Sequence, residues 1–193
     1  MTDVQNEVRA TDLLRAQHEE VRSLFAQVQQ AQGEARAELF DCLRRLLAVH
    51  ETAEEIVVHP EARQLGGEGA RIVEARLREE SEAKQALADL EQLGSDGDGF
   101  GIVLLRFKNA ADAHATAEED ELFPLLEARL SDDQLRAMGA ALQVAESMAP
   151  THPHPHGPDS GIGNVLVGPF VAMVDKVRDH LREHRAAHDR RAS

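Results

Sequence analysis

Two stretches of this chain are near copies of each other: HETAEEIVVHP at 50–60 and HATAEEDELFP at 114–124. Each has a histidine, a glutamate four residues later, and a proline ten residues after the histidine. Four residues is about one helical turn, so in each copy the imidazole and the carboxylate share a face. Any fold for this chain must therefore accommodate two helices that each carry such a pair.

The rest of the sequence supplies the helices. Ala, Leu, Glu, Arg and Gln dominate, while β-branched and aromatic residues are scarce, a composition that favours helix over strand. Apolar residues recur at helical spacing in four segments separated by short glycine-bearing breaks. The first runs from Asp12 to Ala31, with Thr11 as N-cap, Gly33 closing it, and a stripe of Leu14, His18, Val21, Phe25 and Val28. The second runs from Glu34 to Val58 and is expected to stop at Pro60. The third spans Gly69 to Leu93, and the fourth Phe100 to Leu130, with Pro124 placed to kink its end. Short links make long helices antiparallel neighbours, so the expected fold is all-α: an up-down-up-down four-helix bundle over residues 1–130. Residues 131–193 read as a helical C-terminal extension packed on the bundle. SDDQ at 131–134 opens a fifth helix with a capping box. A Pro/Gly/His tract follows, and then a charged sixth helix.

Six residues sit on the apolar stripes where leucine would be expected: His18, His50, Glu54, Glu80, His114 and Glu118. With a rise of about 1.5 Å per residue, all four helices place one of these within about one turn of a common plane. Three carboxylates drawn out of water near one another repel or are forced to protonate. Lys84 is the one cation expected to flank these stripes, so bound metal is the economical source of compensating positive charge. Imidazole with carboxylate selects a borderline metal such as Fe, Mn or Zn. Two carboxylates between two histidine-bearing half-sites suit a bridged dinuclear centre, which helical bundles build in their cores. His18 precedes His50 by 32 residues and Glu80 precedes His114 by 34, so the duplication extends to the other two helices.

At these residues the chain resembles the hemerythrin-like, HHE cation-binding family. TDLLRAQHEEVRSLF is similar to that family's first helix, the H-x-x-x-E pairs are its signature, and the tail resembles an extension of actinobacterial members. The resemblance implies a non-haem di-iron centre, two Fe ions joined by an oxo or hydroxo bridge. His18 and His50 would ligate one iron, His114 the other, and Glu54 and Glu118 would bridge them. Where the family usually has a histidine on its third helix, REESEAK carries Glu80. An anionic donor there favours Fe(III), so the resemblance points to sensing or redox chemistry and not to reversible oxygen carriage. The implied ligands are O2, peroxide or nitric oxide, or the signal is iron status. The alternative is a peroxide-degrading or oxidase-type enzyme. Iron storage fits poorly, because one small bundle encloses no mineral cavity. The absence of tyrosine excludes a tyrosyl-radical role.

A formal charge of −14 with no basic stripe argues against nucleic-acid binding. No run approaches a membrane span, the N-terminus lacks the features of a signal peptide, and Cys42 is the one cysteine. The expected setting is therefore cytoplasmic. Several further residues have competing readings. His59 lies five residues after Glu54, about 140° from the ligand face of an α-helix, and reads either as an outer partner of the ligands or occasional ligand, or as the residue that ends the helix before Pro60. His152, His154 and His156 alternate with prolines and read as a linker or as a loose metal-holding tract, and His180, His184 and His188 read as part of a solvated terminal helix or as a surface metal stripe. Cys42 reads as packing in preference to a redox role. Among Glu19, Glu20, Glu51, Glu55, Glu79, Glu119, Asp120 and Glu121, one or two are expected to accept hydrogen bonds from ligating imidazoles.

Overall fold

The structure, a computed structural model, is described for residues 8–148. It is all-helical, with α1 (Ala10–Gln30), α2 (Gly33–Ala53), α3 (His59–Gln64), α4 (Gly67–Leu93), α5 (Phe100–Ala117), α6 (Phe123–Arg129) and α7 (Asp132–Met148). Five-residue π turns, Glu54–Val58 and Glu118–Leu122, join α2 to α3 and α5 to α6. The described residues thus form four rods and a closing helix. Each rod packs on the next, and α5 returns to α1.

The direction of each rod is visible in which apolar cluster its residues enter. One cluster holds Leu14, Val57, Val73 and Leu122; the other holds Val21, Leu47, Leu87 and Phe107. Along α1 and α4 the chain passes from the first cluster to the second, and along the other two rods it passes back. This is the up-down-up-down bundle. Phe25 meets Phe107 edge-on, and Phe40 meets Phe100 in the same way, inside the second cluster. The first cluster is closed over by α7, whose Leu135, Met138, Ala141 and Leu142 are buried in it. Burial of the two leucines and the methionine stabilises by roughly 1.5–3 kcal/mol each, which seats α7 firmly on that end. Its start is a true capping box. The Ser131 hydroxyl accepts from the Gln134 backbone N–H at 3.3 Å, and the Gln134 side chain accepts from the Ser131 N–H at 2.9 Å. The Pro/Gly/His tract and the expected sixth helix fall on residues outside those described.

Four expectations are corrected. Thr11 is not an N-cap: α1 begins at Ala10, the Asp12 and Leu13 N–H groups bond to the Arg9 carbonyl, and Thr11 is buried. Gly33 opens α2, with a positive φ of 56°, while α1 ends at Ala31. Pro60 does not stop the second rod. The His59 N–H bonds to the Glu54 carbonyl five residues back, and the helix runs on through Pro60 to Gln64. A π turn leaves a carbonyl without its usual partner, so a proline lacking an N–H sits there at little cost. Cys42 is exposed, so it does not pack. The crossing of α3 and α4 is close at Gly69, where a Cβ would lie 1.9 Å from the Ala62 carbonyl oxygen.

Candidate metal centre

Between the two apolar clusters lies one polar layer. His18, His50, Glu54, Glu80 and Glu118 are all at most 3 % exposed, and His114 is half-buried beside them. One donor atom from each of His18, His50, Glu54 and Glu118 lies within 4.8 Å of the others. The Glu118 carboxylate stands between two imidazoles: Oε2 is 3.2 Å from His18 Nε2, and Oε1 is 3.6 Å from His114 Nε2. Glu54 Oε2 is 3.5 Å from His50 Nε2. Glu80 joins the layer from α4, with Oε1 3.7 Å from His59 Nε2 and Oε2 3.6 Å from Lys84 Nζ.

Each imidazole is oriented from behind. His18 Nδ1 lies 2.8 Å from Glu119, which also accepts from Arg22. His114 Nδ1 lies 3.1 Å from Glu79, which also accepts from Arg76. His50 Nδ1 lies 2.8 Å from the Gln17 carbonyl oxygen, while the Gln17 amide donates to Glu146 on α7. Acceptors on the outer side place the proton on Nδ1 and leave an Nε2 lone pair pointing inward, the arrangement a metal-binding imidazole needs. Glu79 and Glu119 were among the acids expected to do this. Gln17 was not, because its role depends on α7, which sequence spacing does not bring near it. Arg76 is a second omission: although Lys84 alone was expected near the stripes, Arg76 is buried in α4 and bonds to Glu79.

Inside the layer most donor atoms have no hydrogen-bond partner among the described residues. His18 Nε2, His114 Nε2 and both carboxylate oxygens of Glu54, Glu80 and Glu118 are buried without a hydrogen bond among the described residues. The 3.2 Å approach of His18 to Glu118 lacks hydrogen-bond alignment. Unpaired buried carboxylates are expensive. Burial, with Glu118, Glu80, Glu51 and Glu55 nearby, pushes the Glu54 carboxyl well above its ordinary value. Burial, with Glu51 and Glu55, does the same to Glu80, and Lys84 only partly opposes it. Burial pushes Glu118 up as well, but the surrounding imidazoles of His18, His114 and His50 hold it below the ordinary range. Burial drives His50 down to about 3 and His59 to about 4, so both rings are neutral near pH 7 with lone pairs free. Nitrogen and oxygen donors bind such metals at about 2.0–2.2 Å, which sets neighbouring donors about 3 Å apart around one ion. The observed separations of 3.2–3.7 Å fit that edge length. The residues present therefore fit a cation.

The local backbone explains how so many donors converge. In each copy of the repeated pattern the glutamate begins a π turn, and residues five apart come one turn apart. His59 is thereby carried into the layer, 1 % exposed, where α-helical geometry would have turned it away. The proline inside an otherwise continuous periodic stretch was the signal in the sequence for this turn. A cavity of about 30 Å³ adjoins the layer, lined by His18, His50, Glu80 and His114 and, on its apolar side, by Val21 and Phe107. It has room for one or two water-sized molecules. No helix among the described residues is long and apolar enough to cross a membrane. His152, His154, His156, His180, His184 and His188 lie outside the described residues.

The profile of the hemerythrin HHE cation-binding domain matches residues 9–126. An uncharacterized hemerythrin-like protein of Schizosaccharomyces pombe is 30% identical over 138 residues, 71% of this chain and 68% of that one. A DNA nickase of a Nostoc species is 27% identical over 137 residues; the match takes in 70% of this chain but only 38% of that protein. Among solved structures, a hemerythrin HHE cation-binding domain-containing protein from Mycobacterium kansasii shares the fold. Its TM-score is 0.66 at 22% identity, over 72% of this chain and 86% of that one.

Proposed function

Because the chain belongs to the hemerythrin HHE cation-binding family, we propose that its polar layer holds two metal ions, iron where iron is available, with Mn or Zn as substitutes. His18 and His50 serve one ion, His114 and Glu80 the other, and Glu54 and Glu118 bridge them. The observation that carries this reading is Glu118, one carboxylate whose two oxygens face imidazoles on different helices. A carboxylate serving a single ion has no need of a second histidine on its far oxygen.

When bound, an iron pair supplies electron exchange with small oxidants. The chain itself does three things for it. Outer acceptors hold the imidazoles with Nε2 inward, the apolar clusters keep bulk water from both ends of the layer, and the small cavity limits what can approach. That cavity suits dioxygen, peroxide or nitric oxide. The function proposed is therefore sensing of, or response to, such a molecule or iron status, in a cytoplasmic setting. A redox enzyme that degrades peroxide is the second reading, favoured by the carboxylate-rich donor set that Glu80 completes. The Nostoc protein's nicking activity is a property of that longer protein, and the charge of −14 here gives it no support.

Metal analysis with an optical spectrum of protein purified in iron-replete medium tests the reading. Two iron equivalents per chain are expected; one equivalent or none refutes it. Turnover of added peroxide by the loaded protein selects the enzyme, and a spectral change without turnover selects the sensor.

A further inference from the structure

His59 occupies a position that the repeated pattern fills differently in its second copy. Residue five after the bridging glutamate is His59 in the first copy and Phe123 in the second, and both begin the helix that follows a π turn. Phe123 is fully buried and stacks on His18 at 5.6 Å between ring centroids. The same backbone turn therefore accepts an apolar ring, and packing alone gives no reason for an imidazole at 59.

The imidazole is nonetheless 1 % exposed, and neither Nδ1 nor Nε2 has a hydrogen-bond partner among the described residues. Its Nε2 is 3.7 Å from Glu80 Oε1, and that oxygen is likewise buried and unpartnered. Two converging lone-pair atoms with nothing between them form an edge of the size that one metal ion spans. On this side of the layer the chain supplies the fewest imidazoles: His18 and His50 are together, with ring centroids 5.1 Å apart, whereas His114 stands on the far oxygen of Glu118, at 3.6 Å. We infer that His59 is a third terminal ligand of the second metal ion, beside His114 and Glu80, brought there by the π turn after Glu54. This inference rests on the two-ion reading above.

His59 differs from the other three imidazoles in having no outer acceptor on Nδ1. The ion itself has to orient the ring, so removal of the ring falls on the second ion and leaves the first pocket intact. The test is anaerobic titration with Fe(II), and separately with Co(II) for its ligand-field spectrum, of the wild-type chain and of His59→Phe. Phenylalanine is the residue the second copy carries at this place. The wild type takes up two equivalents. In His59→Phe the first equivalent binds as before, while affinity for the second falls at least as far as the roughly 10–100-fold that loss of an outer partner costs. The metal-free variant melts no lower than the metal-free wild type, because an unpartnered buried imidazole has been replaced by an apolar ring. If that variant does not fold, His59→Gln, which keeps a polar side chain but no imidazole, is titrated in its place, with the same loss expected. Two equivalents at wild-type affinity with an unchanged Co(II) spectrum overturn the role of His59 alone. A wild-type chain that binds fewer than two equivalents overturns the two-ion reading and this inference with it.

Discussion

The two copies of the eleven-residue pattern fold alike and are used differently. Both begin with a histidine facing inward, both turn through a π segment at the glutamate, and both continue through a proline. In the copy at 114–124 the surrounding residues support the first pocket: Glu119 holds His18 from behind, and Phe123 stacks on it under the Arg15 guanidinium. In the copy at 50–60 they carry further polar atoms into the layer: His59 faces Glu80, and Glu55 and Glu51 gather on Lys84. A duplicated local structure thus yields one copy whose neighbours pin an imidazole and one that carries an imidazole, His59, without a hydrogen-bond partner among the described residues. Identical backbone geometry fixes where a side chain enters the core; the residue found there fixes whether it packs or binds.

The largest expected effect tests whether the two glutamates are equivalent. Glu118→Ala removes a carboxylate that faces both His18 and His114, and purified protein should retain no more than one metal equivalent by elemental analysis. Glu54→Ala should also lower occupancy, but less. Full two-metal occupancy in either variant breaks the bridging assignment.

Next in size is the stability of the metal-free protein against pH. Glu54 and Glu80 have folded-state values raised above the ordinary 4.5, and Glu51 is raised to about 7 by burial. The unfolded chain releases these protons first, so this stability is fully present below the ordinary 4.5 and is lost as pH rises from there through the raised values. His50 and His59 act in the opposite sense. Their folded values, about 3 and about 4, lie below the ordinary 6.5, so stability is lost as pH falls below 6.5. With three raised carboxyls opposing two lowered imidazoles, the metal-free melting temperature should already decline above the ordinary carboxyl value of 4.5 and fall more steeply above 6.5. The loaded protein should melt several degrees higher at neutral pH, with the gap closing in mild acid as ligands are protonated. Coincident melting curves at pH 8 would contradict burial of unpaired acids in the layer.

A smaller effect compares the outer acceptors of the two pockets. Glu119→Gln and Glu79→Gln should each lower metal affinity, by about 10–100-fold, with Glu119 acting on the first equivalent and Glu79 on the second. Competition against a chelator reads this out, and loss on the same equivalent in both variants would show that the pockets are not separate. The smallest effect belongs to Phe123→Leu, which keeps an apolar residue but removes the ring over His18. Stability should fall by about 1 kcal/mol in denaturant unfolding of the loaded protein. A change of less than a tenth of that would mean the stack contributes nothing.

Much of this arrangement was legible without coordinates. His18, His50, Glu54, Glu80, His114 and Glu118 stand out because each interrupts an apolar stripe, and helical rise alone sets them at one level. Ser131 and Gln134 announced the capping box of α7 by their spacing. Arg76 and Gln17 were not legible in the same way. Arg76 follows Val73 on the buried side of α4, but its partner Glu79 matters only because His114 arrives from α5. Gln17 links His50 to Glu146, residues 33 and 129 positions away.

What the sequence by itself determined is the periodic part of this protein: four amphipathic rods, their antiparallel order, and the polar layer each rod carries at one level. Those follow from local rules, since a helix repeats every 3.6 residues whatever its surroundings. The tertiary structure alone decided where that rule lapses. A π turn changes the rotation of everything after it and is rare as a local conformation. It persists here because the packed bundle holds both ends of each rod in place while the proline removes one N–H from the ladder. His59 changed from the end of a helix to a member of the layer for that reason. Its direction depends on a turn that only the packed bundle stabilises.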